Sequence, residues 1–264
     1  MIVEFIGSTG AGKTTLINEV RCRLVKTGRV TTSIDLATSL LGLKGLTNPT
    51  LQNLAQEFIS LPFFIGTLYK YNEYLRHTIK LFWRKTSFSM QTIHNLRSLE
   101  RKIGMYEITK ILGKDQVILV DEGPILALHM FVSVKNTYTP EEIARFIDLL
   151  PLPDLVIYIR ASVDTIIERT VRRADPPREV DRKNPAQMEE YIKRTVAMFD
   201  QLTQAENIRP RLLAVESLDI AEPGFNQVID SVYQAILDRS SIKPKKSKSP
   251  DHRNQNDKQT STTY

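Results

Sequence analysis

Near the start of a 264-residue chain, Gly7-Ser8-Thr9-Gly10-Ala11-Gly12-Lys13-Thr14 carries the full G-x-x-x-x-G-K-T spacing. Glycines at these positions let the backbone curl so that successive N–H groups converge on phosphate oxygens. Lys13 can then reach the β- and γ-phosphates, and Thr14 can set its hydroxyl on Mg²⁺. Gly7, Ser8, Thr9, Gly10, Ala11, Gly12, Lys13, Thr14 and Thr15 are the candidate nucleotide-binding residues. A second point of chemistry is Asp121-Glu122-Gly123-Pro124, which follows the apolar run Val117-Ile118-Leu119-Val120. An acid at the tip of a buried strand is suited to hold Mg²⁺ beside a phosphate loop, so Thr14 and Asp121 are the candidate metal ligands. Glu122 next to it is suited to activating a water molecule. The third point is Arg169, Arg172, Arg173 and Arg178, four arginines within ten residues around Pro176-Pro177. Phosphoryl transfer needs positive charge on the equatorial oxygens of the moving group, and such a cluster supplies it.

These points need elements to hold them. Ile2 to Ile6 reads as a strand leading into the loop, and Leu16, Ile17, Val20 and Leu24 fall at helical spacing after it. That helix aims its positive end at the same anion. Cys22 on it reads as a small core residue, and Gly28 as its C-cap. Arg29 to Asp35 reads as a second strand, with Val30, Thr32 and Ile34 alternating. Asp35 ends it, on the edge where parallel sheets collect their sites, and is a candidate partner for an acceptor hydroxyl. Residues 48–114 read as several helices, with apolar spacing at Leu51, Leu54, Phe58 and again at Ile103, Tyr106, Ile108, Ile111. They hold ten of the chain's twenty aromatics, which fits a helical hairpin packed on itself, an aromatic-walled lid, or a surface for an anionic partner. Thr139-Pro140-Glu141-Glu142 is a capping box opening a helix to Leu150. Asp154 to Arg160 is the next strand, Ser162 and Asn184 open two further helices, Arg211 to Val215 is the last strand, and Phe225 to Leu237 the last helix. His129 reads as a structural histidine.

Charge is unevenly spread. Gly66 to Asp115 holds ten basic against four acidic residues, and Ser241 onward six against two, so the rest of the chain is slightly acidic within a net charge of +6. The nucleotide domain is therefore not expected to bind nucleic acid, whereas the basic insert suits an anionic partner. No apolar run reaches the length of a membrane span; Ile59 to Tyr69 is the nearest and contains Pro62. Cys22 is the single cysteine, which excludes an internal disulfide. With the first residues already forming a strand and no signal peptide, the expected location is cytoplasmic.

Strands alternating with helices predict an α/β fold of three layers, a five-stranded parallel sheet with a helical insertion between strands 2 and 3. The expected organisation is one domain over 1–240, with the insertion at 48–115 and an arginine-rich lid at 172–184. The tail, 241–264, has too few apolar residues to fold and is expected to be disordered.

The loop at Gly7–Thr14, the strand-end Asp121 and the segment Asp154–Arg178 resemble the nucleotide and nucleoside kinase branch of P-loop NTPases, the thymidylate kinase-like group most closely. The resemblance covers residues 1 to about 238. It implies Mg²⁺ and ATP as cofactors, a small-molecule acceptor such as a nucleoside, nucleotide or other hydroxyl compound, and a homodimer among the partners to be expected. It implies that Arg169, Arg173 and Arg178 close over the phosphoryl group, and that Glu216-Ser217-Leu218 lies by the nucleotide base. The catalytic set is then Lys13, Asp35, Asp121, Glu122 and those three arginines, with Asp35 favoured over Glu122 as base. The chain departs from thymidylate kinases in reading Asp121-Glu122-Gly123 where they carry Asp-Arg-aromatic, which argues against a nucleoside monophosphate acceptor. The alternative is an accessory or regulatory ATPase. There is no Asn-Lys-x-Asp element for guanine and no Leu-Ser-Gly-Gly transporter signature.

Overall fold

Runs such as Ile2-Val-Glu-Phe-Ile6 and Val117-Ile-Leu-Val120 offer no polar face to water, which suits strands covered on both sides. In a computed structural model, which describes residues 1–26, 30–43, 48–85, 90–132, 138–172 and 184–240, they form a five-stranded, wholly parallel sheet. The strands are β1 (Ile2–Ile6), β2 (Val30–Thr32), β3 (Val117–Val120), β4 (Leu155–Arg160) and β5 (Leu212–Glu216), in the order β2-β3-β1-β4-β5. Val3 sits opposite Leu119 on one side and Leu155 on the other. Alternation along the strands then sorts the core into two layers. Val3, Phe5, Leu119, Leu155 and Ile157 pack on α1 (Lys13–Val25) and α9 (Phe225–Arg239). Ile6, Val156 and Tyr158 face the other way, onto a cluster with Phe146 of α6 (Pro140–Leu149) and Phe199 of α8 (Pro185–Thr203). The three-layer α/β fold with an insertion between the second and third strands is as the sequence predicts.

Local caps fix where the helices start. Thr139 makes both capping-box bonds, accepting from Glu142 N at 3.3 Å and donating its own N–H to Glu142 Oε2 at 3.0 Å. Ser162 opens α7 (Val163–Val171) by accepting from Thr165 N, and Asn184 opens α8 by accepting from Gln187 N.

The second strand is shorter than the alternation suggests. It stops at Thr32, whose hydroxyl accepts from Asp35 N at 3.1 Å and so caps α2 (Ser33–Leu40). Asp35 therefore lies in the first turn of a helix and not at a strand end, because a threonine in extended conformation is a better helix cap than a continuing strand residue. Cys22 is exposed, not buried: Leu16, Ile17, Val20 and Leu24 define the inner face of α1 and leave position 22 outside. Gly28, Arg173, Arg178 and the tail at 241–264 lie outside the described residues, as does most of the expected lid.

The insertion consists of α2, α3 (Pro49–Thr67), α4 (Asn72–Lys85) and α5 (Met90–Leu112). Leu51, Leu54 and Phe58 point to solvent, because Ala55, Ile59 and partly buried Phe63 supply the inner face of α3. α3 and α5 approach closely at Gly104, where a Cβ would stand 2.3 Å from the Ser60 carbonyl oxygen. Gly104→Ala should thus cost about 1–3 kcal/mol, because a rigid backbone has to move. Gly66→Ala, with nothing within 4 Å of its added methyl, should be neutral or stabilise by up to about 1 kcal/mol through helix propensity. Thermal melting of both variants checks the contrast; similar behaviour of the two would refute the close approach.

Candidate active site

The loop between β1 and α1 is shaped by its contacts. Gly10 has φ +92°, and a Cβ there would lie 2.9 Å from Thr170 Oγ1 and 3.2 Å from the Ile166 carbonyl oxygen of α7. Thr170 in turn donates to the Thr9 carbonyl at 3.4 Å, and Ser217, just past β5, donates to the Ala11 carbonyl at 2.8 Å. The loop is thus held from outside, which leaves its concave side open. Gly12 caps α1 in a left-handed conformation with no side-chain bond, so the first N–H groups of the helix point freely into that concavity. Lys13 Nζ lies between the carbonyls of Gly7 and Ser8, at 3.0 and 3.1 Å.

Thr14 Oγ1 donates to Asp121 Oδ2 at 3.2 Å, so the hydroxyl and the strand-end carboxylate meet where the sequence places the metal pair. Burial pushes the Asp121 carboxyl up, and the Lys13 charge pulls it back. Among the described residues no group of three or more His, Cys, Asp and Glu side chains could hold a metal. A divalent ion here would be held by one hydroxyl, one carboxylate and substrate oxygens, a set that suits Mg²⁺. The Ser8 hydroxyl, buried in the loop without a hydrogen-bond partner among the described residues, is a polar atom that a phosphate oxygen would satisfy. The residues present fit a Mg-nucleotide.

Beside this point opens a cavity of about 320 Å³. Its walls come from α1 (Asn18, Arg21), the start of α2 (Ser33, Asp35), α3 (Gln52, Asn53, Gln56), α5 (Arg101, Lys102, Tyr106) and the end of β3 (Asp121, Glu122, Gly123). Asp35 Oδ2 is paired with Arg21 at 2.7 Å. Glu122 meets both Arg101 (3.3 Å) and Lys102 (3.4 Å). Lys102 is the buried member, its ammonium pushed down by burial and held up by Glu122, while Lys102 in turn draws the Glu122 carboxyl below its ordinary range. Glu122 is therefore matched by two cations on α5, so it does not make the cavity acidic.

The floor is Glu4, fully buried in the middle of β1. Its Oε1 accepts from Leu126 N at 3.1 Å, while Oε2 has no hydrogen-bond partner among the described residues. A Cβ at position 123 would stand 2.3 Å from its carboxyl carbon, so Glu4 requires glycine there. Burial raises its pKa to about 8. Its signal in the sequence is a single acid in an otherwise apolar strand. Arg21, Arg101, Lys102 and the amides of α3 carry no such signal, since no spacing marks them. His129 packs edge-on against Phe199, and burial holds its imidazole at about 3.

Of the arginine cluster, Arg169 ends α7 and donates to Ser217 Oγ at 2.6 Å and Asp219 Oδ1 at 2.7 Å. It joins the loop after β5 to the phosphate loop through Ser217. Arg172 is exposed and paired with Glu168.

No protein-family model matches the chain, and no curated protein matches its sequence. Among solved structures it is similar to deoxyadenosine kinase from M. mycoides with bound dATP, at 17% identity over 89% of this chain and 99% of that one, with a TM-score of 0.47. It is also similar to shikimate kinase from Bacteroides thetaiotaomicron, at 10% identity over 90% and 97% of the two chains, with a TM-score of 0.43. Neither likeness assigns a residue role here. The fold and its first loop are those of a P-loop α/β protein.

Glu4 generates a pH prediction. Its folded pKa, about 8, lies above its unfolded value, so the folded state holds the extra proton and stability falls as pH rises from about 4.5 to 8. His129 acts oppositely, costing stability as pH falls from 6.5 towards about 3, so above pH ~6.5 the Glu4 slope stands clear of it. Denaturant unfolding should show the wild type losing on the order of 2 kcal/mol between pH 6.5 and 8 relative to Glu4→Gln. Parallel curves would refute a protonated Glu4.

Proposed function

We propose that the chain is a Mg-ATP-dependent phosphotransferase, thymidylate kinase-like in layout, that acts on a small polar hydroxyl compound. Nucleosides, nucleotides and other hydroxyl metabolites belong to that class. The observation that carries this reading is the cavity beside the phosphate loop: amides and charged side chains line about 320 Å³ directly beside Thr14 and Asp121. Hydrolysis of ATP alone needs room for one water, whereas this volume suits a small organic acceptor. Bound Mg²⁺ supplies charge neutralisation at the phosphate oxygens. Thr14 and Asp121 would hold it, Lys13 would bind the β/γ-phosphates, and the loop N–H groups would orient them. Arg169, Arg173 and Arg178 are proposed to supply positive charge as the bond to the leaving oxygen breaks.

The base is proposed to be Asp35. Glu122 is committed to two cations, one of them buried, and so serves mainly to neutralise Lys102. Among the described residues the Asp35 carboxylate has one partner, Arg21, and it remains 45% exposed beside the cavity. From there it can orient an acceptor hydroxyl and take its proton. Asp35→Asn should abolish acceptor-dependent phosphorylation, lowering kcat by about 10²–10⁴-fold, while slow ATP hydrolysis persists. Coupled-enzyme ADP release with and without a panel of hydroxyl acceptors measures both rates. A silent Asp35→Asn together with a Glu122→Gln variant inactive towards ATP alone would leave an ATPase. Lys13→Ala should abolish both activities with little change in melting temperature, and unfolding instead would count against a phosphate-binding loop.

A further inference from the structure

Leu51, Leu54, Phe58, Leu61, Ile65 and Leu68 follow one another at spacings of three and four, which puts them on one stripe of α3 and its C-cap. All six are exposed, Phe58 at 76%. Six side chains of roughly 200 Å² each, exposed by about half, leave on the order of 600 Å² of apolar surface, as large as the largest patch on a typical monomer. The only charge on α3 is Glu57, which is bonded to Arg97. Tyr69, just past the helix, is 95% exposed. The stripe runs into a groove of about 700 Å³ between the end of α3 and α4, floored by Phe64, Leu68, Leu75, Ile79 and Trp83. Arg76, Lys80 and Arg84 edge that groove one helical turn apart. Arg84 is paired with Glu142, but Arg76 meets only Asn72 and Lys80 meets no carboxylate among the described residues.

We propose that this face docks the protein peripherally on a bilayer containing anionic lipid. An apolar stripe flanked by a basic ridge gains from both acyl contact and headgroup charge, and Tyr69 and Trp83 are side chains that favour the membrane–water boundary. The chemistry matches the excess of ten basic over four acidic residues from Gly66 to Asp115. Among the described residues no helix is long and apolar enough to cross a membrane, so α3 lies in the plane of the surface instead of spanning it. A second copy of the chain is a poorer occupant, because a two-fold contact brings the basic ridge towards itself with no acidic ridge on the face to meet it. A soluble acidic metabolite would leave the apolar stripe uncovered.

Trp83 is the chain's only tryptophan, is 70% exposed and stands on this face, so its emission reports docking directly. The full-length protein is titrated with phosphatidylcholine vesicles and with vesicles containing phosphatidylglycerol, read by Trp83 emission and by co-sedimentation. The expected result is a blue shift and sedimentation with the anionic vesicles, weakened by salt. Arg76→Gln/Lys80→Gln should lower that partitioning roughly thirtyfold. Phe58→Ser/Ile65→Ser should abolish the emission shift while melting temperature and ATP turnover stay at wild-type values. No shift and no sedimentation at low salt would overturn the proposal, as would binding unchanged in both double variants. So would a concentration-dependent dimer, seen by sedimentation equilibrium, that Phe58→Ser/Ile65→Ser dissolves, since a second copy would then own the face.

Discussion

A buried ammonium organises this molecule. Lys102 projects from α5 into the carboxyl edge of the sheet, where it donates to Ser98 Oγ at 3.2 Å and to Glu122 at 3.4 Å. A lysine taken out of water is tolerable only if anions come with it. Glu122 must therefore stand where β3 ends, and α5 must lie against that end. Glu4, kept protonated by burial, completes the unit from β1 by shape and not by charge. Its carboxyl fills the space that any larger residue at position 123 would need, so the chain turns away from β3 through Gly123. The cavity beside the phosphate loop exists because these groups hold the insertion at this distance from the sheet. Solvent screens the exposed Glu122 half of the pair, so the cost of losing it falls on the Lys102 ammonium, which would stay buried.

What the sequence disclosed and what it hid divide along a physical line. The phosphate loop, Asp121 at the tip of Val117–Val120 and the capping box at Thr139 were all legible, because each depends on neighbours within a few residues. Asp35 was placed at a strand end because Val30, Thr32 and Ile34 alternate. That pattern was outweighed by a single hydrogen bond, Asp35 N to Thr32 Oγ1, which starts a helix two residues sooner. The direction of α3 was hidden more deeply. Leu51, Leu54 and Phe58 have the spacing of a core face, and periodicity shows that a stripe exists without saying which stripe turns inward. Small Ala55 and the Gly104 contact let the other side approach α5, and the larger side chains were left outside.

Reading charge by position also misled where reading it by space does not. Glu122 taken alone, as an acid at the tip of β3, argues against a nucleoside monophosphate acceptor. In the fold Arg101 and Lys102 arrive at the same carboxylate from twenty residues earlier in the chain. Cation and acid have in effect been separated onto two elements. A carboxylate so held presents its partners' remaining N–H groups to the cavity, and those groups can receive an acceptor's oxygens without a formal arginine at the strand end.

α3 joins the cavity to the outer surface. Gln52, Asn53 and Gln56 line the cavity from its first half, while Leu51, Leu54 and Phe58 occupy the opposite side of the same turns. The helix is too closely packed on α5 at Gly104 to rotate independently, because Ser60 has no room to pass. The outer stripe and the amides of the inner face thus stand on one element that is fixed against α5 by backbone contact. Three polar side chains of the cavity wall therefore depend on that one helix, whereas the phosphate loop is held separately, through Thr170 of α7 and Ser217 after β5.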